Sequence, residues 1–313
     1  MRKILPRFGF SAMSRRAALT NGPGLVARLR RLTQNRLILL VWLVLLTASW
    51  AQAATKTDKP LVLGVFPHLT AKQIIENYRP LVSALEKRLQ RRVTVHSAPN
   101  LRIFVERTQQ GNYDILLTPP HMAWLAQQDA GYRPLLKYAE PVHGLLVVRS
   151  DAAFTTPEAL RGRTIATADA IAVAGLAIEA DLAERGLKLG IDYRTMESGT
   201  HSSTVMQVIN RRADAAMIGQ HAYQLMSEDL RKQLRILSKT RPLSSLMYLT
   251  HPRIGDREAK SVRHALLDFS ASPEGRAFMQ RGLYGGFAEV DGNELQAFRP
   301  YALRAQEILR ARQ

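Results

Sequence analysis

The sequence predicts an α/β protein of two lobes. Short apolar runs alternate with stretches of helical periodicity, the alternation restarts once near the middle of the chain, and the last segment reads almost wholly as helices. With 46% apolar and 22% charged residues, the 313-residue chain has the composition of a globular protein. Its length suits about two domains of ~150 residues each.

The chain opens on a basic leader. Nine bases fall between Arg2 and Arg36 and the first acid is Asp58, so the leader supplies a large part of the formal net charge of +18. "RLILLVWLVLLTASWAQAA" (36–54) follows a basic flank with an apolar run and ends in small residues, with Ala51 and Ala53 in an A-x-A arrangement. This is the pattern of a signal peptide. It predicts residues 1–53 as a leader cut after Ala53 and a mature protein in the periplasm. The unbroken run Leu37–Leu46 is short against the ~20 residues that a membrane span needs. An uncleaved anchor is the alternative reading, and Met13 offers a second start. The sequence has no cysteine, which excludes disulfides, thiolate metal sites and thiol nucleophiles.

After Lys59 each element has its own signal. "LVLGVFPH" (61–68) is a buried strand closed by Gly, Pro and His. The next stretch, 70–90, repeats apolar residues at Ile74, Tyr78, Leu81, Leu85 and Leu89, with Thr70 as N-cap and Pro80 as a kink or break. Strands follow at 92–98 and 113–121, with a helix at 101–111 stopped by Gly111. A helix at 121–131 comes next, and 135–150 holds strand material on both sides of Pro141. The second round has a strand before Thr167, the helix of "TADAIAVAGLAIEADLAERG" (167–186), a strand in 189–198, a helix at 200–212 and strands in 213–221 and 234–240. One more strand lies in 244–252, and helices follow around 256–271, 273–281 and 293–311. Alternation of this kind predicts a largely parallel sheet in each lobe. The expected boundaries are 54–148 for lobe I and 149–243 for lobe II, with 244–313 returning to lobe I. The chain is then expected to cross near Val148–Asp151 and Thr240–Ser245.

In open α/β sheets, ligands bind beyond the carboxyl ends of the strands. That rule selects the loops Pro67–Thr70, Thr118–His121, Glu140–Gly144, Thr167–Gly175, Ser198–Ser203 and Gly219–Tyr223. They contain five histidines: His68, His121, His143, His201 and His221. No two of these have tight metal-ligand spacing and carboxylates are sparse beside them, so no metal or cofactor is expected. Thr118, Thr167, Thr200 and Ser202 are hydroxyl donors at strand ends or helix starts, where capping competes with ligand contact. Trp124 and Tyr78 read as core aromatics, and Arg91-Arg92 and Arg211-Arg212 as solvated faces, not a nucleic-acid stripe. Neither a nucleophile elbow, a zincin motif nor a phosphate loop occurs, and "GLYGG" (282–286) reads as a turn. An enzyme is not expected.

Four fragments carry a family resemblance. They are "LGVFPHLTAKQIIENYRPLVSALEKRL", "GNYDILLTPPHMAWLAQQ", "TPEALRGRTIA" and "SGTHSSTVMQVINRRADAAMIG". In order and spacing the chain resembles the phosphate/phosphite/phosphonate-type periplasmic solute-binding proteins, the substrate-binding components of ABC transporters. The resemblance covers nearly all of 60–311. It implies a type II periplasmic-binding fold, two α/β lobes joined by two crossover strands with a cleft between them. It further implies a small, anionic ligand, an inner-membrane ABC permease as partner, and a monomer. By match to the family pattern, His201 heads the candidate ligand residues. The others are His121, Thr118, Thr167, Asp169, Gly175, Thr200, Ser202, His68, His143 and Gln220.

The match departs in its chemistry. The family's hydroxyl-rich Ser-Thr-Ser-Gly loop is replaced by Ala172, Val173 and Ala174 before the retained Gly175. Asp169 is retained and is expected to act as the N-cap of the following helix. Ser202 stands where the family tends to place an acid, and Leu101 where a tyrosine is expected. Losing several charge-assisted hydrogen bonds of about 1.5–3 kcal/mol each argues against a simple alkylphosphonate. Two other readings stay open on sequence alone: a periplasmic sensing module that docks on a membrane kinase or cyclase, and, with less support, an enzyme on the same fold.

Overall fold

Residues 59–311 are described by a computed structural model. The leader and its expected cleavage after Ala53 lie outside the described residues. The strands form two sheets. The first has the order β11-β4-β10-β3-β1-β2, from β1 (Leu61–Val65), β2 (Val93–His96), β3 (Ile115–Thr118), β4 (Arg133–Tyr138), β10 (Met247–Thr250) and β11 (Phe287–Ala288). The second has the order β7-β6-β8-β5-β9, from β5 (Gly144–Arg149), β6 (Thr164–Thr167), β7 (Arg194–Glu197), β8 (Ala215–Gly219) and β9 (Leu234–Lys239).

Each sheet is mixed. β1 runs parallel to β2 and β3, and β6 runs parallel to β7 and β8. β10 is antiparallel to β3 and β4, and β5 is antiparallel to β8 and β9. Of the antiparallel strands, β5 and β10 are the ones that enter from the other lobe, without a crossover helix to turn them parallel, and β11 adds an antiparallel edge beside β4. Together the sheets and their helices form the two α/β lobes that the sequence predicts.

The first crossing lies earlier than expected. β5 belongs wholly to the second sheet, so the chain passes between the lobes over Ala139–His143 and not at Val148–Asp151. Pro141 supplies the break, since it has no N–H for a ladder. The run Gly144–Val148 is a buried strand flanked on both sides. The return passage runs from Thr240 to Leu246. The two passages pair with each other: Val142 N–H donates to Leu243 O (3.0 Å) and Leu243 N–H to Val142 O (2.8 Å).

Helix α1 (Ala71–Leu89) starts at a capping box between Thr70 and Gln73 and runs through Pro80 without a break. Its face of Ile74, Tyr78, Leu81 and Leu85 is buried on the first sheet with Leu63 and Tyr248, and that packing outweighs the bond that proline removes. Arg91 is not a solvated residue: its side chain, 16% exposed, pairs with Glu258 at 3.0 Å. Trp124 is core, 9% exposed, as its helical spacing predicts.

Candidate functional site

Because the parallel strands of each sheet share a direction, the loops after β1, β3, β6, β7 and β8 gather at strand ends. Two histidines from opposite lobes come within electrostatic reach of each other there. His68 follows β1; its ring stacks on Phe66 (4.5 Å, 16°) and its Nδ1 lies 2.9 Å from Phe66 O. His201 opens helix α5 (His201–Ile209), reached after α2 (Leu101–Gln109), α3 (Pro120–Ala130) and α4 (Val173–Glu184). Burial, and then neighbouring His68, hold the His201 imidazole down at about 4. Burial also lowers His68, against the pull of the Phe66 carbonyl. Both imidazoles are therefore neutral at pH 7. His201 Nδ1 is buried and has no hydrogen-bond partner.

A tyrosine group extends this junction. His68 meets Tyr78 edge-on at 6.1 Å. The Tyr78 hydroxyl lies beside that of Tyr284 without a complete hydrogen bond of its own. Tyr284 stacks on Tyr138 at 3.8 Å and 6°, and Tyr138 Oη lies 2.8 Å from Tyr248 Oη. From the second lobe, His221 faces the edge of Tyr284 at 6.1 Å. Burial lowers the His221 pKa, against the attraction of Glu140.

Tyr284 owes its place to the GLYGG turn. Leu283, Gly285 and Gly286 take φ of 54°, 68° and 98°, a region that favours glycine. A Cβ on Gly282 would lie 2.0 Å from the Tyr284 ring. The turn is tied to the first crossing, where Glu140 N–H donates to Tyr284 O and Ala139 N–H to Gly286 O, both at 3.0 Å.

Besides His201 Nδ1, buried polar atoms without a partner include His221 Nε2, Ser198 Oγ at the end of β7 and Ser245 Oγ on the return crossing. Leaving such a group unmade costs about 1–3 kcal/mol each. Of these, His201 lies within electrostatic reach of His68 and His221 faces Tyr284, and a buried polar atom without a partner in the chain is one that a ligand or water can satisfy.

The other expected residues are placed differently. Thr118 is fully buried, and beside it lies a recess of about 10 Å³ lined by Phe104, Val105 and Met122, beneath helices of the first lobe. Thr167 Oγ1 donates to Asp169 O (3.3 Å), and a Cβ on Gly175 would lie 3.1 Å from that hydroxyl, so the glycine lets α4 sit close over the end of β6. Asp169 is not the N-cap of α4. Its Oδ1 accepts from Ile171 N–H at 2.9 Å, and the cap is Ala172, with no side-chain bond. The aspartate lies too far ahead of the first helical turn to cap it, and it folds back into an Asx turn instead. Thr200 caps α5 in a reciprocal pair with Ser203, and Ser202 is exposed. His143 Nδ1 lies 2.8 Å from Thr240 O, joining the two crossings, and Gln220 N–H donates to His143 O at 2.8 Å. His121 is buried, with Nε2 2.9 Å from Ile171 O in the second lobe and Nδ1 without a partner.

The structure thus brings His68, His201 and His221 to one junction and assigns Thr200 and His143 to capping and crossing contacts. Sequence reasoning missed Tyr138, Tyr248 and Tyr284 as neighbours of that junction. The glycine spacing around Tyr284 was the one available signal.

A family model described as the periplasmic phosphonate substrate-binding protein of ABC transporters matches residues 63–295. No curated protein matches the sequence. Solved structures with the same fold include XAC2383 from Xanthomonas citri bound to ATP, 20% identical with a TM-score of 0.67, the match covering 80% of this chain and 98% of that one. PhnD1 from Prochlorococcus marinus in complex with methylphosphonate is 12% identical with a TM-score of 0.71, covering 80% and 100%. A binding-protein component of an ABC phosphonate transporter from Pseudomonas aeruginosa is 16% identical with a TM-score of 0.69, covering 80% and 87%.

Proposed function

Since the chain belongs to the family of periplasmic phosphonate-binding proteins of ABC transporters, we propose that it captures a small anionic ligand at the His68–His201–Tyr284 junction and delivers it to an inner-membrane permease. The family is one of transporter components, not of enzymes, and it places the chain in the periplasm. Among the described residues no helix is long and apolar enough to cross a membrane; export by the leader, cut after Ala53, completes the proposal.

The observation that carries the reading is the buried, unpartnered Nδ1 of His201 in the second lobe, within electrostatic reach of His68 in the first. His201 and His68 offer neutral ring nitrogens to the acid group of the ligand, and the ring of Tyr284, held in place by the stack on Tyr138, lines its remaining length. The ligand is larger than methylphosphonate, because the loop around Ala172–Ala174 offers no hydroxyl grip while the junction offers an aromatic wall. A ligand that contacts both lobes favours the closed state by its differential affinity, and the paired crossings at Val142 and Leu243 act as the hinge.

Thermal shift against a panel of alkyl-, aryl- and aminoalkylphosphonates, phosphite and sulfonates tests this reading. Larger phosphonates are expected to stabilise the protein more than methylphosphonate does. Tyr284→Ala is expected to reduce that stabilisation by about 1 kcal/mol, the scale of one aromatic contact. Equal response of Tyr284→Ala and the parent protein to every compound would remove Tyr284 from the site.

A further inference from the structure

Helix α4 (Val173–Glu184) is buried over five consecutive residues, Ala174 to Ile178. A helix that is apolar all round is covered on more than one side. Ile178 and Leu182 pack on the second sheet with Leu146 and Met217. The opposite side belongs to the other lobe. Ile171 and Leu176, each 2% exposed, lie in a cluster otherwise built from the first lobe, among Met122, Trp124 and Leu249. With Ala172 as the cap, these two residues occupy the positions of a hydrophobic staple, the one before the cap and the fourth of the helix. The staple is therefore seated in the neighbouring lobe.

Two polar contacts secure the same edge. His121, fully buried in the first lobe, sets Nε2 2.9 Å from the Ile171 carbonyl. Further along the helix, Arg304 Nε lies 3.1 Å from Glu179 Oε1. Parting the lobes here would return two aliphatic side chains to water and leave a buried imidazole and carbonyl without each other.

We infer that Ile171 and Leu176 form a latch by which the protein holds its two lobes closed without a ligand. Of the apolar replacements at the start of this helix, Val173 packs with Leu243 and Phe298 beside the crossings, while Ile171 and Leu176 on either side of them face the other lobe. This inference rests on contacts separate from the His201–Tyr284 junction.

The sequence contains no cysteine, so spin labels can be placed cleanly at Ile75→Cys and Leu225→Cys, exposed positions (52% and 63%) in the two lobes. Protein recovered from the periplasm is measured by pulsed electron paramagnetic resonance before and after ligand removal by unfolding and refolding. The expected result is one narrow distance distribution in both samples, unchanged by millimolar methylphosphonate. Ile171→Ser is expected to raise the fraction at longer distances by about tenfold. Arg304→Ala, at the half-exposed end of the latch, keeps the test open if Ile171→Ser does not fold; a rise of about twofold is expected. A stripped parent protein already spread to longer distances overturns the latch, and so does a narrow peak retained in the folded variants. A protein that carries a small molecule yet opens when stripped sinks only the latch. One that stays closed and never carries a molecule sinks only the ligand reading.

Discussion

Replacing His201 with alanine is expected to weaken ligand capture by roughly 10- to 100-fold, the effect of one lost hydrogen bond in a buried site. The ring nitrogen Nδ1 of His201 is buried and has no partner within the chain, which leaves it able to bond a ligand or a water. The same substitution is expected to leave stability unchanged or raise it, because it removes an unsatisfied polar atom and breaks no internal bond. Function and stability then move apart, as expected at a binding site. Titration calorimetry with whichever phosphonate gives the largest thermal shift reads the first effect, and urea denaturation reads the second. A large loss of stability with unchanged affinity would make His201 a packing residue.

The second large effect is in acid. Burial holds the His121 imidazole down at about 4, with the Ile171 carbonyl pulling the other way. The unfolded chain binds a proton near 6.5, its ordinary value, and the folded chain only near 4. Between those limits the unfolded state holds more protons, so stability falls as pH falls. The contribution is complete above pH 6.5 and is lost progressively down to about pH 4. A depression of this size corresponds to about 3 kcal/mol for His121 alone. His201, lowered in the same direction, adds to it. His121→Gln can still donate to the Ile171 carbonyl and does not titrate. It is expected to flatten the dependence of unfolding free energy on pH over this window, as read by urea denaturation. An unchanged slope in His121→Gln would place the acid sensitivity elsewhere.

Much of the fold was legible because its signals are local. The cap Thr70, the periodic face of Ile74, Tyr78, Leu81 and Leu85, and the short apolar runs each declare one element without reference to the rest. The first crossing was misplaced because "HGLLVVRS" reads equally well as the last strand of one sheet or the first of the next. Which sheet takes it depends on Pro141 and on pairing with β8 and β9, a long-range matter. Of the kink or break expected at Pro80, the break does not occur, since there a local rule yields to tertiary packing.

The candidate site was legible in part. The strand-end rule selects loops that hold His68, His201 and His221, but does not say which of the hydroxyls nearby are already spent on capping. Thr200 and Ser203 satisfy each other, as their spacing allowed, whereas Ser198 and Ser245 stand unpartnered for reasons that only the fold reveals. Tyr284 lies far along the chain in a stretch that announces a turn and nothing more. The segment around Ala172, Val173 and Ala174 reads in the sequence only as a replaced hydroxyl loop. Its contacts show a surface packed against the other lobe.

On the proposed function, a small molecule occupies the junction between the lobes. Native mass spectrometry of the protein purified gently from the periplasm, against the same sample after unfolding and refolding, tests it most directly. The account predicts a small-molecule mass that is lost on refolding and is absent from His201→Ala prepared in the same way. An empty protein, together with no thermal shift from phosphonates, phosphite or sulfonates, would contradict it.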